Sequence, residues 1–149
     1  MLENTTTLNH SGQKERKDIG PVQQDNVRGI FLHYMPTPTP QLECLGVEDY
    51  ERWSREPHTH LGAQERKAAR QSKAIKDKES YRWVWGYKKA TKLARAMLDT
   101  QFVYVADREG DIYDIYHEAQ TSFAKGAADW LIRATFDRAI LDENQPKKK

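Results

Sequence analysis

Six residues, QFVYVA (101–106), constrain the chain more than any other stretch, because an apolar run stops there and charge follows at once. Asp107 comes first, then Arg108, Glu109, Asp111 and Asp114. A strand with one wet face alternates apolar and polar residues. A continuous apolar run reads instead as a strand buried on both faces, as in α/β sheets. The flanking segments read as helices. In ESYRWVWGYKKATKLARAML (79–98), Trp83, Tyr87, Ala90, Ala94 and Met97 recur at three- and four-residue steps, and Lys88, Lys92 and Arg95 form a second, basic stripe. DIYDIYHEAQ (111–120) is a helix with Asp111 placed as its N-cap. DWLIRATF (129–136) is the next strand.

Upstream, VRGIFLHYM (27–35) and QLECLGVEDYERW (41–53) read as strands. PTPTP (36–40) between them is excluded from a sheet interior, because proline has no N–H to donate. SREPHTHLG (54–62) is a loop, and AQERKAARQSKAIKDK (63–78) is rich in helix formers but short of an apolar face. Residues 63–78 are therefore expected to form a mobile or DNA-facing helix within a loop or basic insertion spanning 54–78, and 139–149 a polar tail. Strands, helix, strand, helix, strand in that order predict a mixed α/β domain.

A length of 149 residues suits one such domain. The single Cys44 rules out an internal disulfide and a multi-cysteine zinc site, and fits a reducing, cytoplasmic setting. No apolar run approaches the roughly 18 residues of a membrane span, and MLENTTTLNHSGQ lacks the regions of a signal peptide. Net charge is only +2, but it is unevenly spread. Residues 64–98 hold eleven Lys or Arg against three acids, net +8, whereas 107–118 hold five acids and one Arg, net −4. A basic segment beside an acidic cluster suits a polyanion handled near a cation; it also suits a solvated helix face followed by helix-start acids.

Asp107 falls at the carboxyl end of a central strand, where α/β sheets place ligands. A carboxylate there can hold a hard cation such as Mg²⁺, which takes oxygen ligands from one or two carboxylates, water and phosphate. It can equally cap a turn.

Several segments together resemble the insertion-sequence-four family of DDE transposases, the family that includes the transposon-five enzyme. VADREGDIYDIY (105–116) is similar to that family's second-aspartate block. NTTTLNHSGQ (4–13) and IGPVQQDNVRGIFLHYMPTPTPQLECLGV (19–47) resemble its first-aspartate block, where a catalytic Asp precedes Thr-Thr-x-Leu. KESYRW (78–83) and DWLIRATFDR (129–138) resemble the elements on either side of the second aspartate. The resemblance runs in order from about residue 3 to 138. It implies a ribonuclease-H-like mixed sheet with flanking helices, incomplete here. It also implies metal-dependent cleavage and transfer of DNA strands, with two Mg²⁺ or Mn²⁺ ions clamping the attacking and leaving oxygens.

By the same resemblance Asp107 is the second metal-binding carboxylate, Arg108 and Glu109 orient its surroundings, and Arg133 lies near DNA along with Lys88, Lys92 and Arg95. Two positions depart from the pattern. Asn4 stands where the first Asp belongs, and the chain has no Tyr-Arg-x-x-Trp-x-x-Glu segment to supply the third carboxylate; Glu118 and Glu143 lack that context. The expectation is a decayed, truncated fragment that is catalytically inactive alone. Its first strand would be cut to its last few residues, and 1–26, 54–78 and 139–149 would be its least ordered parts. Two alternatives stay open. One is a DNA-binding or regulatory remnant that assembles with a full-length relative. The other is a stand-alone nuclease, for which Asp111 is the nearby second carboxylate. His33 and Trp83 are read first as packed residues.

Overall fold

The computed structural model describes residues 1–12, 18–22, 27–56 and 62–138. Its elements are β1 (Leu2–Asn9), β2 (Gly20–Pro21), β3 (Arg28–Pro38), β4 (Cys44–Trp53), α1 (Ala63–Ser72), α2 (Tyr81–Ala96), β5 (Val103–Ala106), α3 (Tyr113–Ser122) and β6 (Asp129–Ile132). The chain is mixed α/β, as expected. β3 pairs antiparallel with β1, β2 and β4, while β1, β5 and β6 run parallel. The strand path is β2-β3-β1-β5-β6, with β4 also on β3.

One face of this sheet carries the core. Trp83, Val84, Tyr87 and Ala90 of α2 pack with Tyr104 and Ala106 of β5, Ile115 and Ala119 of α3, and Met35 of β3. Tyr87, Tyr104 and Ile115 are fully buried. Each such side chain contributes roughly 1.5–3 kcal/mol, so packing rather than intrinsic propensity holds α2, whose early turns contain Trp, Val and Gly. The opposite face is more open: Leu2, Leu8 and Leu131 remain 39%, 42% and 63% exposed. No helix among the described residues is long and apolar enough to cross a membrane.

Several expectations are corrected. β1 is not a stump; its Thr-rich segment, β-branched and suited to strands, extends it to eight residues. β3 continues through the prolines, with Pro36 opposite Val47 and Pro38 opposite Cys44. Pairing with β1 ends at Tyr34, so the prolines need satisfy only one neighbour, and the register shifts at both steps. β5 is buried on one face only: Tyr104 and Ala106 are covered, Val103 and Val105 half-covered. The helix expected within 63–78 is present as α1, followed by a short 3-10 turn (Ile75–Asp77). Met97, assigned to the apolar stripe, lies past the end of α2 and is 49% exposed. The tail at 139–149, Glu143 included, lies outside the described residues.

Candidate functional site

The parallel register Leu2 with Val105 and Glu3 with Ala106 carries Asn4 one step further, to the level of Asp107. Asp107 thus follows the carboxyl end of β5, and Asn4, third residue of β1, stands beside it where the parallel pairing of the two strands ends. Both are exposed. Alternation turns Asn4 away from the helix-covered face, because its neighbour Glu3 points inward and is 4% exposed. Asp107 also acts as a turn cap: its Oδ1 accepts the Glu109 N–H at 2.8 Å and closes the 3-10 turn Arg108–Gly110. Burial, then the Asp107 charge, raises the Glu109 carboxyl above its ordinary value.

As a metal centre this pair is thin. It offers one carboxylate and one neutral amide oxygen, and the described residues contain no group of three His, Cys, Asp or Glu placed to hold an ion. Two divalent cations 3.5–4 Å apart need more negative charge than that. The residues present do not fit a two-metal clamp.

Beneath Asn4 lies a polar network that sequence reasoning missed. His33 bridges Glu3 Oε1 at 2.6 Å and Thr5 Oγ1 at 2.7 Å. Tyr104 Oη donates to Glu3 Oε2 and to the Trp83 carbonyl, the latter at 3.1 Å. Trp83 meets the His33 ring edge-on at 5.0 Å, and both are buried, as packed residues. The network ties β1, β3, β5 and α2 together, fixing the strand that bears Asn4 against the strand that ends in Asp107. The visible signal was the period-two pattern of β1, which puts Glu3 on the opposite face from Asn4.

Burial raises the Glu3 carboxyl above its ordinary 4.5, against the opposing hydrogen bonds from His33 and Tyr104. A carboxyl raised in the folded chain contributes most below its unfolded value, and that contribution declines as pH rises through the folded one. Glu3→Gln should abolish the decline, so urea unfolding of variant and native chains from about pH 5 to 8 should diverge with rising pH. Parallel curves would contradict this account.

Asp111 is not the N-cap of α3; Ile112 occupies that position, with no side-chain cap. Asp111 is instead a buried clamp. Its Oδ2 accepts the N–H groups of Thr135 at 2.6 Å and Phe136 at 3.0 Å, and its Oδ1 accepts from Tyr116 Oη at 2.8 Å and from Arg138. Burial opposes its ionisation, but these donors prevail and hold the carboxyl well below the usual carboxylate range. With its oxygens so engaged, Asp111 is no free partner for Asp107.

The basic residues divide. Lys88 pairs with Glu118 at 3.3 Å, and Arg95 Nε donates to the Lys125 carbonyl at 3.0 Å. Both therefore lie against α3 and the turn after it, while Lys92 is exposed. Arg133 is exposed just beyond β6, its N–H bonded to the Ala106 carbonyl at 3.1 Å.

On the helix side of the same sheet end is an open cleft of about 480 Å³, lined by Thr5, Phe31, Trp53, Arg55, Arg82, Arg108 and Phe136, with Glu79 and Glu109 among its acids. Neither Asn4 nor Asp107 lines it. Against protein-family models, curated proteins and solved structures alike, the chain has no match.

Proposed function

We propose that this chain is a ribonuclease-H-like domain of the DDE-transposase type whose metal centre has degenerated, and that it binds DNA without cutting it. The observation that carries this reading is Asn4 beside Asp107 where the parallel pairing of β1 with β5 ends, with Asp107 just past the carboxyl end of its strand, where such sheets place their chemistry. The topology supports it: an antiparallel group β1, β3 and β4, then helix, strand, helix and strand, with β5 and β6 parallel to β1. The intact family would use Mg²⁺ or Mn²⁺ at this position, act on transposon ends and target DNA, and assemble with further transposase copies. Here the charge at Asn4 is missing, and the stand-alone nuclease alternative loses its second carboxylate to the Asp111 clamp.

The native chain with Mg²⁺ or Mn²⁺ should leave supercoiled DNA un-nicked. Asn4→Asp should tighten Mn²⁺ binding at least about tenfold, because ligand charge sets affinity for hard cations. Metal-dependent nicking that disappears in Asp107→Ala would overturn the claim of inactivity. An Asn4→Asp chain with unchanged Mn²⁺ affinity would overturn the pairing of these two positions.

A further inference from the structure

We propose that the cleft on the helix side of the sheet takes up one unpaired nucleotide of a nucleic-acid strand, a site separate from the Asn4–Asp107 pair. The inference rests on the nucleic-acid reading above and adds the form of nucleic acid and the surface that holds it. Size is the first argument. About 480 Å³ is within the range of small-ligand sites, whereas a double helix, whose major groove alone is about 12 Å wide, cannot enter.

The lining is the second argument. Trp53 stacks on Phe31 with ring centres 5.1 Å apart and planes 14° apart. The Arg82 guanidinium lies 3.7 Å from the Trp53 ring centre, and that of Arg55 lies 4.2 Å from the Phe31 ring centre. Both arginines are held in place before any ligand arrives: Arg82 by Glu51 at 2.8 Å, Arg55 by Glu79 at 2.9 Å. Trp53 Nε1 also donates to Glu79, at 3.2 Å. The Arg55 side chain is still 41% exposed. A guanidinium plane seated on a ring and open on its outer side is a surface on which any base stacks. Phe136, 62% exposed, offers a ring on the same cleft.

Charge is the third. The lining holds Arg55, Arg82 and Arg108 together with Glu79, Glu109 and Asp111, so the cleft is close to neutral and suits a base more than a bare phosphate. Glu79 and Asp111 are already engaged. Arg108 forms no ion pair among the described residues, which leaves it for the phosphate of the inserted nucleotide. Glu109, also without an ion pair among them, is placed to meet the base edge.

The test is fluorescence anisotropy of the full chain with a short fluorescein-labelled single-stranded oligonucleotide, the same sequence as a duplex, and adenosine monophosphate as competitor. Single strand should bind about tenfold tighter than duplex. Arg108→Gln with Phe136→Ala, both exposed positions whose backbone bonds survive substitution, should remove that preference with the circular dichroism spectrum unchanged. Lys88→Gln with Lys92→Gln should lower both affinities and leave the preference. Equal binding of single strand and duplex, or a preference that survives the Arg108/Phe136 variant, overturns the inference and leaves the nucleic-acid reading standing. Mononucleotide that competes as well as unlabelled strand overturns the requirement for a strand. Failure to bind either form of DNA overturns the reading itself.

Discussion

Asp111→Ala should cost the fold at least about 3 kcal/mol. The carboxylate accepts two backbone N–H groups, a tyrosine hydroxyl and a guanidinium, and bonds to a charged group are worth roughly 1.5–3 kcal/mol each. Arg138 is partly exposed and recovers water, so its share is discounted. Truncation also frees the segment after β6, because Thr135 and Phe136 are held to the body through this side chain. The same carboxyl makes stability depend on acid. Its pKa is depressed in the folded chain, so its contribution is complete above the ordinary carboxylate value near 3.8 and is lost as pH falls below it. Urea unfolding at neutral pH and again near pH 3 measures both effects. A neutral-pH loss under about 1 kcal/mol, or an acid slope shared equally by native and Asp111→Ala chains, would remove the clamp from the account.

Gly29→Ala should be about as damaging for a different reason. Gly29 sits in β3 between β1 and β2, opposite Asn9 on one side and Gly20 on the other. A methyl there would fall inside the van der Waals envelope of the Leu8 carbonyl oxygen and carbon. Those atoms are backbone of a paired strand and cannot rotate aside. Overpacking of this kind costs about 3 kcal/mol, a drop of about 10 °C in Tm for a domain of this size. Gly12, where an added methyl meets nothing within 4 Å, has a positive φ and is a poor control; Ala68→Gly, at an exposed position of α1, is the better one, with an expected loss of about 1 kcal/mol. Equal effects at Gly29 and Ala68 would show that β1 yields to β3.

What was legible in the chain was what local pattern controls. The stripe Trp83, Tyr87, Ala90 is the buried face of α2, because three- and four-residue spacing on a helix dictates it. Asp107 sits where the apolar run stops, because strand ends are set by that change. What was not legible depends on partners distant in sequence. Asp111 looked like a cap because caps are local; its actual donors at 135–138 arrive only when β6 is laid beside β5. Glu3 was overshadowed by Asn4, and its importance comes from His33 and Tyr104, thirty and 101 positions away. Lys88 and Arg95 were read as part of a basic, DNA-facing stripe, and nothing in their own helix reveals that Lys88 pairs with Glu118 of α3 or that Arg95 bonds to the turn after it.

The pairing of β1 with β5 has a consequence for how the protein is made. Met1 donates to the Val103 carbonyl across 102 positions of chain. At about 5–20 residues per second of synthesis, the first strand waits roughly 5–20 s for the neighbour that completes its parallel edge. Until then it can pair only with β3, as an antiparallel ribbon with Leu2 and Leu8 in water. Contacts of such long separation also slow refolding of the finished chain. The nascent protein therefore passes through an interval in which its central strand is an unprotected edge, and a chaperone that shields exposed strand edges would have its longest claim on β1.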